Sequence, residues 1–368
     1  MKKLGYIDSL RGLAIIGVIM IHAYEFCGFK HPGVLVNIVL HGNFGVQLFF
    51  TASAFTLFLS LSNRADKEKF PIRNFFIRRF FRIAPMYYLG IFYYIFQDGL
   101  GPRYWLGDAD HVSNLNIISN FTFLNGFDPY WINSLVPGGW SIAVEMIFYM
   151  VLPLLFFKIK NINSAIYFFI SALLLNFCLH VFFNRFQMIG SERLWKEYLF
   201  LYFPSQLPIF ALGIIMFFSI KIFNQKNNDQ VETITGFPIL LCSIVLLIYL
   251  ATGINTILPP HLLFGIGFIL LGIALSKYPF PLFVNPVINY IGKISFSLYL
   301  VHFAVIYWLS KINMLSAFNK ASVGFYIAWL LFIIGCSVII SSITYKLIEV
   351  PFQNFAKKII DKHEKTSS

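Results

Sequence analysis

Stretches of roughly twenty mostly apolar residues follow one another along this chain, and a helix needs ~20 such residues to cross the hydrocarbon core of a bilayer. They fall at about 10–28, 42–62, 83–100, 141–158, 164–183, 205–223, 236–253, 261–276, 286–309 and 322–347. Charged residues are 12% of the 368 and mean hydropathy is +0.72, whereas soluble domains carry about 25% charge. The expected fold is therefore all-α, a polytopic membrane protein of about ten transmembrane helices. An even number of spans puts both termini on one side. With that side as the cytoplasm, 21 of the 28 Lys and Arg lie inside and 7 outside, as the positive-inside rule requires. Both termini are expected in the cytoplasm. One membrane domain is expected over 1–355, with a short charged cytoplasmic tail over 356–368 and no appended soluble catalytic domain. Asp8 and Arg11 interrupt the first apolar run, so it reads as a retained span rather than a cleaved signal peptide.

The net charge of +12 is spread in short clusters between apolar runs. Membrane topology explains it better than nucleic-acid binding does. Cys27, Cys178, Cys242 and Cys336 lie far apart with no metal or redox spacing, and read as buried, inert thiols. Two connections stand out. Segment 63–82 is basic and cytoplasmic, while 101–140 is external, long, and rich in Gly, Asn, Asp, Pro and aromatic residues. The stretch 224–235 reads as a flexible linker. No internal repeat is visible.

Several ionisable groups interrupt the apolar runs, where they are costly and point to function. Arg11 and His22 are eleven positions apart, on one helix face and roughly 16 Å from each other. A neutral imidazole with an ordinary pKa of ~6.5 suits a general base for a hydroxyl, and Glu25, three residues on, is placed to orient it. Interhelical hydrogen bonding is the alternative for His22, and interfacial anchoring for Arg11. Arg79 and Arg82 share a helix face within Arg78-Arg79-Phe80-Phe81-Arg82. They read either as positive-inside anchors or as a phosphate clamp, since guanidinium forks match phosphate geometry. Glu145 lies about one turn into a span that opens with Gly138-Gly139-Trp140-Ser141. Its alternatives are a cavity-facing carboxylate and a structural ion pair. His302 ends the run Ser295–His302, where core hydrogen bonding is the plainer role. Glu349 closes the last span as a partner for a cytoplasmic arginine.

In order, these motifs resemble the membrane acyltransferase-3 family of bacterial O-acyltransferases. The family's Leu-Arg-Gly helix ending in His is matched by Leu10, Arg11, Gly12 and His22. Its Arg-x-x-Arg is matched by Arg79 and Arg82, and its Trp-Ser-x-x-x-Glu-x-x-Phe-Tyr by Trp140, Ser141, Glu145, Phe148 and Tyr149. The late Ser-Tyr-Ser-Leu-Tyr-Leu-x-His is matched over Ser295–His302 with Phe296 for the tyrosine, and the closing Glu-x-Pro-Phe by Glu349, Pro351 and Phe352. A second-span motif is matched loosely at Phe49–Phe55, with Ala54 where glycine is usual. The hydrolase-like extracellular domain fused to some members is not expected here.

The resemblance implies an enzyme of the bacterial cytoplasmic (inner) membrane that moves an acyl group, acetyl first of all, from cytoplasmic acyl-CoA to a hydroxyl of a surface glycan. The acceptor class includes lipopolysaccharide O-antigen and other polysaccharides or lipid-linked sugars. On this reading His22 and Glu145 are catalytic and Arg11, Arg79 and Arg82 hold the acetyl-CoA phosphates. Trp140, Ser141, Tyr149 and His302 bind substrate, and no metal is required. His22 either deprotonates the acceptor or takes the acyl group itself. The rival reading is a transporter of a glycan or lipid precursor, which commonly has repeated halves. A non-catalytic scaffold has no need for an ordered series of intramembrane charges.

Overall fold

Inside a bilayer no water serves the backbone, so each apolar run must close its own hydrogen bonds, and a helix does so within one segment. The computed structural model describes residues 4–27, 33–225, 229–253, 256–312 and 322–366, and every regular element among them is helical. The elements are α1 (Gly5–Cys27), α2 (Val34–Leu40), a 3-10 turn (His41–Phe44), α3 (Gly45–Arg64), α4 (Pro71–Asp98), α5 (Asn114–Phe121), α6 (Gly139–Lys158), α7 (Ile162–Arg185) and α8 (Glu192–Leu201). They continue with α9 (Phe203–Gln225), α10 (Asp229–Ala251), α11 (Pro260–Lys277), α12 (Pro286–Lys293), α13 (Ser295–Lys311), α14 (Val323–Thr344) and α15 (Val350–Thr366). Residue 28 of the first expected span, the burial of Cys27, the linker at 226–228 and the end of the tail at 367–368 lie outside the described residues.

Seven runs are long and apolar enough to cross a membrane, and eight if α12 and α13, bent by 81°, form one span. The expected span at 83–100 falls on the second half of α4, where Tyr87, Tyr88, Tyr93, Tyr94, Gln97 and Asp98 lower the hydropathy. The one at 236–253 falls on α10, whose apolar part, Gly236–Ala251, is short. Cys178 and Cys242 are exposed rather than buried. They sit on helices of apolar composition, where the outward faces need not be polar.

The chain forms two compact units, the first comprising Met1–Thr56 with Leu212–Tyr345 and the second Leu57–Ala211 with Lys346–Ser368. In the first, α1 is the central helix and packs on α12, α13, α14 and the 3-10 turn. Gly12 of the Leu-Arg-Gly motif makes this possible, because a Cβ there would lie 2.4 Å from the Ile288 carbonyl oxygen of α12. The seam is pinned by Ser9 Oγ donating to Asn289 Oδ1 at 2.6 Å. On the opposite helix, Tyr326 of α14 donates its hydroxyl to the Met20 carbonyl at 2.8 Å. Ala54 faces Gly213 of α9, at which an added Cβ would come within 2.7 Å of the Ala54 Cβ.

In the second unit α4 packs with α5, α6 and α15. Segment 101–140 is an ordered cap rather than an open loop. Asn116, Asn120, Asn125 and Ser134 are buried in it, and a buried amide must find partners. Asn116 bonds Ser134 at 2.7 Å, Asn120 bonds the Asn116 carbonyl at 3.0 Å, and the Tyr87 hydroxyl of α4 reaches Asn120 Oδ1 at 2.8 Å. The tail from 356 continues as α15. Glu364 accepts from the Lys69 N–H at 3.0 Å and from Asn74 Nδ2 at 2.7 Å, which ties α15 to the start of α4.

Candidate active site

The first unit presents the Arg11–His22 face of α1. The Arg11 guanidinium donates Nη2 to Thr56 Oγ1 at 2.9 Å, which holds the cation against α3. Eleven residues on, His22 Nδ1 lies 2.8 Å from Glu25 Oε2. A carboxylate only accepts, so Nδ1 carries the proton and Nε2 keeps its lone pair, the arrangement of an oriented general base. His22 is partly exposed, at 27% of its side chain, and Glu25 at 50%. The His22 ring lies 5.6 Å from the ring of His302 and 4.4 Å from that of Phe303. The chain folds this way because the 81° bend between α12 and α13 sets α13 against α1. A separate cavity of about 270 Å³ is lined by Leu13, Gly17, Met20, Phe264 and other apolar groups. At 100° per residue those α1 positions lie on the side away from Arg11 and His22.

The second unit sorts the basic residues of segment 63–82 into two sets. Arg78 forms a two-pronged ion pair with Glu68 (2.9 and 3.0 Å), Arg64 adds a third bond at 3.0 Å, and Asn74 a fourth at 3.1 Å. Burial raises and these donors lower the Glu68 pKa, and the donors win: it is held below the ordinary glutamate value. Arg79 and Arg82 stand outside this network. Neither has an ion pair or hydrogen bond among the described residues, and the Arg79 Nε is buried without a partner. The Arg79 guanidinium lies over the Phe75 ring (5.8 Å) and the Tyr149 ring (5.9 Å). Tyr149 is buried and donates its hydroxyl to Glu145 Oε1 at 2.6 Å. Glu145 thus stands with Tyr149 and within electrostatic range of Arg79.

Trp140 is 8% exposed and Ser141 buried, its hydroxyl donating to the Gly138 carbonyl at 3.0 Å in the first turn of α6. Sequence reasoning therefore names residues of two sets: Arg11, His22 and His302 in the first unit, and Arg79, Arg82, Trp140, Ser141, Glu145 and Tyr149 in the second. It passed over Thr56, Glu68 and the buried Asn116–Asn120–Ser134 cluster. Thr56 adjoins the Phe49–Phe55 motif, and the asparagines were visible as unusual polarity in 101–140. Among the described residues no group of three His, Cys, Asp or Glu side chains is placed to hold a metal ion.

A helical membrane fold with a carboxylate-oriented histidine and an unpaired guanidinium pair defines a class, and comparison with known proteins places it. The chain belongs to the acyltransferase-3 family, whose acyltransferase domain it matches over residues 4–346. A protein of Staphylococcus aureus (strain COL), provisionally named an O-acetyltransferase, is 26% identical over 98% of this chain and 59% of its own length. Peptidoglycan O-acetyltransferase OatA of Listeria monocytogenes is 31% identical over 44% of this chain and 26% of its own. The chain thus spans about three-fifths of the length of the Staphylococcus relative. No solved structure matches.

Proposed function

We propose that this chain is an integral membrane O-acyltransferase of the bacterial cytoplasmic membrane. It would transfer an acyl group, acetyl in the first instance, from acyl-CoA to a hydroxyl of a cell-surface glycan. The full topology in this reading is ten spans with both termini in the cytoplasm. The observation that carries it is the 2.8 Å bond between His22 and Glu25 on the first helix of an acyltransferase domain.

In the proposed reaction His22 Nε2 accepts the proton of the acceptor hydroxyl while the oxygen attacks the thioester carbonyl carbon. As the carbon–sulfur bond breaks, His22 returns that proton to the departing thiolate, so the base is regenerated within one turnover. Glu25 holds the ring in the required tautomer and offsets the positive charge that His22 gains. Arg11 is assigned to an anionic part of the donor; roughly 16 Å of helix separates it from His22, a distance an extended pantetheine arm can cover. In the second unit Arg79 and Arg82 are assigned to phosphate contacts, since neither forms an ion pair within salt-bridge distance among the described residues and guanidinium suits that geometry. Glu145, with Tyr149, and Trp140 and Ser141 in the first turn of α6, are assigned to acceptor binding and catalytic support.

The test is acetate on surface glycans, measured by NMR in cells carrying the wild type, His22→Ala or Arg11→Ala. Both variants are expected to abolish O-acetylation while inserting normally. Unchanged acetylation in both would remove the assignment.

A further inference from the structure

His302 is fully buried in α13. Its Nδ1 lies 3.1 Å from the Leu298 carbonyl oxygen. A carbonyl cannot donate, so Nδ1 carries the ring proton and Nε2 holds a bare lone pair. No hydrogen-bond donor among the described residues reaches that Nε2. Buried polar atoms are nearly always paired, and leaving one unpaired costs its desolvation. A buried acceptor left unpaired beside the candidate base is therefore a place for a donor that arrives with the substrate.

The neighbour of this nitrogen is the candidate base. The two imidazole rings lie 5.6 Å apart at 32°, and Phe303 packs on both, at 4.4 Å from His22 and 4.1 Å from His302. Glu25 accepts from His22 Nδ1, so His22 also offers only a lone pair at Nε2. Two acceptors thus stand in one aromatic setting with their ring centres 5.6 Å apart, and since each offers only a lone pair they cannot bond one another. A simple alcohol has one hydroxyl hydrogen and satisfies one of them. Satisfying both takes two donors held at fixed separation on the same molecule.

We propose that the imidazoles read the acceptor as a pair, an inference that rests on His22 being the base. His22 takes the proton of the hydroxyl that is acylated, and His302 Nε2 accepts a hydrogen bond from a second O–H or N–H on the same ring. The acceptor class is then a sugar that carries a donor beside the reacting hydroxyl, and simple monohydric alcohols are rejected. His302 is a specificity-determining residue; it forms no bond in the reaction. A site built around a substrate donor discriminates strongly against molecules that lack it, because its own acceptor is otherwise left unpaired.

The experiment uses the full chain in nanodiscs with 15N-labelled histidine, the His302 signals being assigned by their loss in His302→Gln. N-acetylglucosamine is the probe and cyclohexanol the monohydric comparison. N-acetylglucosamine is expected to shift the His302 Nε2 resonance, and cyclohexanol to leave it in place. In acetyl transfer from acetyl-CoA to N-acetylglucosamine oligomers, His302→Phe is expected to raise the acceptor KM at least about tenfold with the acetyl-CoA KM unchanged. His302→Gln, which restores an acceptor oxygen, should recover most of the loss, and size-exclusion profiles check that both variants fold. An unmoved resonance, an equal response to cyclohexanol, or an unchanged acceptor KM in His302→Phe overturns the proposal. His22→Ala separates the two readings. Loss of turnover in His22→Ala together with no sugar response at His302 in the wild type leaves the base and removes the pairing, whereas full turnover in His22→Ala removes the base itself.

Discussion

Replacing Glu68 by glutamine should destabilise the protein without touching donor chemistry. Glu68 accepts four hydrogen bonds, two from Arg78 and one each from Arg64 and Asn74. The Glu68 and Arg78 side chains are only 13% and 18% exposed, whereas Arg64 is 39% exposed. Breaking a buried ion pair from one side costs about 3–5 kcal/mol. The Arg64 contact adds little, because exposed pairs are worth about 0–1 kcal/mol. Glutamine retains one acceptor oxygen, so we expect a loss of about 2–3 kcal/mol. At about 2 cal/mol/K of unfolding entropy per residue this corresponds to a fall in Tm of roughly 3–4 °C. The assay is thermal unfolding in detergent, followed by a thiol-reactive dye or by size exclusion, at a series of pH values. The folded-state pKa of Glu68 is depressed, so its contribution is present above the unfolded glutamate value of about 4.3 and fades as pH falls through the lower folded value. The gap between wild type and Glu68→Gln should therefore be full at pH 7 and close in acid below about pH 4. Equal Tm values at pH 7, or a gap that widens in acid, would refute the reasoning.

Three further outcomes follow from the same geometry. Arg79→Ala with Arg82→Ala should weaken acetyl-CoA binding about 10–100-fold, read by calorimetry, with a smaller fall in Tm than Glu68→Gln, because Arg79 gives up only its places over Phe75 and Tyr149; normal binding would count against the clamp. Glu25→Gln should lower kcat about 10–100-fold with the acetyl-CoA KM intact, since it removes the carboxylate that orients His22; equal losses in both parameters would mean that Glu25 acts on binding. Gly12→Val should cost about 1–3 kcal/mol or more, seen as reduced yield of monodisperse protein, because its Cβ meets the Ile288 carbonyl at 2.4 Å; wild-type stability would mean that α12 can move away.

The membrane class, the helical fold and most span positions were legible in the sequence because hydrophobic length is a local property, written in consecutive residues. The Arg11–His22 spacing and the Glu25 partner were legible for the same reason, since three and eleven residues along one helix fix a face. Eight of the expected spans correspond to helices or a bent pair long and apolar enough to cross. The α4 and α10 segments did not, because tyrosines and a short apolar run dilute a signal that depends on length.

Other features were decided only by the tertiary structure. Seven basic residues in 63–82 looked alike, and packing alone committed Arg64 and Arg78 to Glu68, while Arg79 and Arg82 form no ion pair among the described residues and Arg79 lies over the Phe75 and Tyr149 rings. Nothing local in 101–140 said that its asparagines would be buried and bonded into a cap. Above all, His22 and His302 are 280 positions apart, and only the bend between α12 and α13, with α13 packed on α1, sets their rings 5.6 Å from each other. Composition and periodicity act over a few turns of chain, so they assign a residue to a helix and a face. Which faces meet depends on close packing between distant segments, and the pairing of charges and lone pairs is settled there.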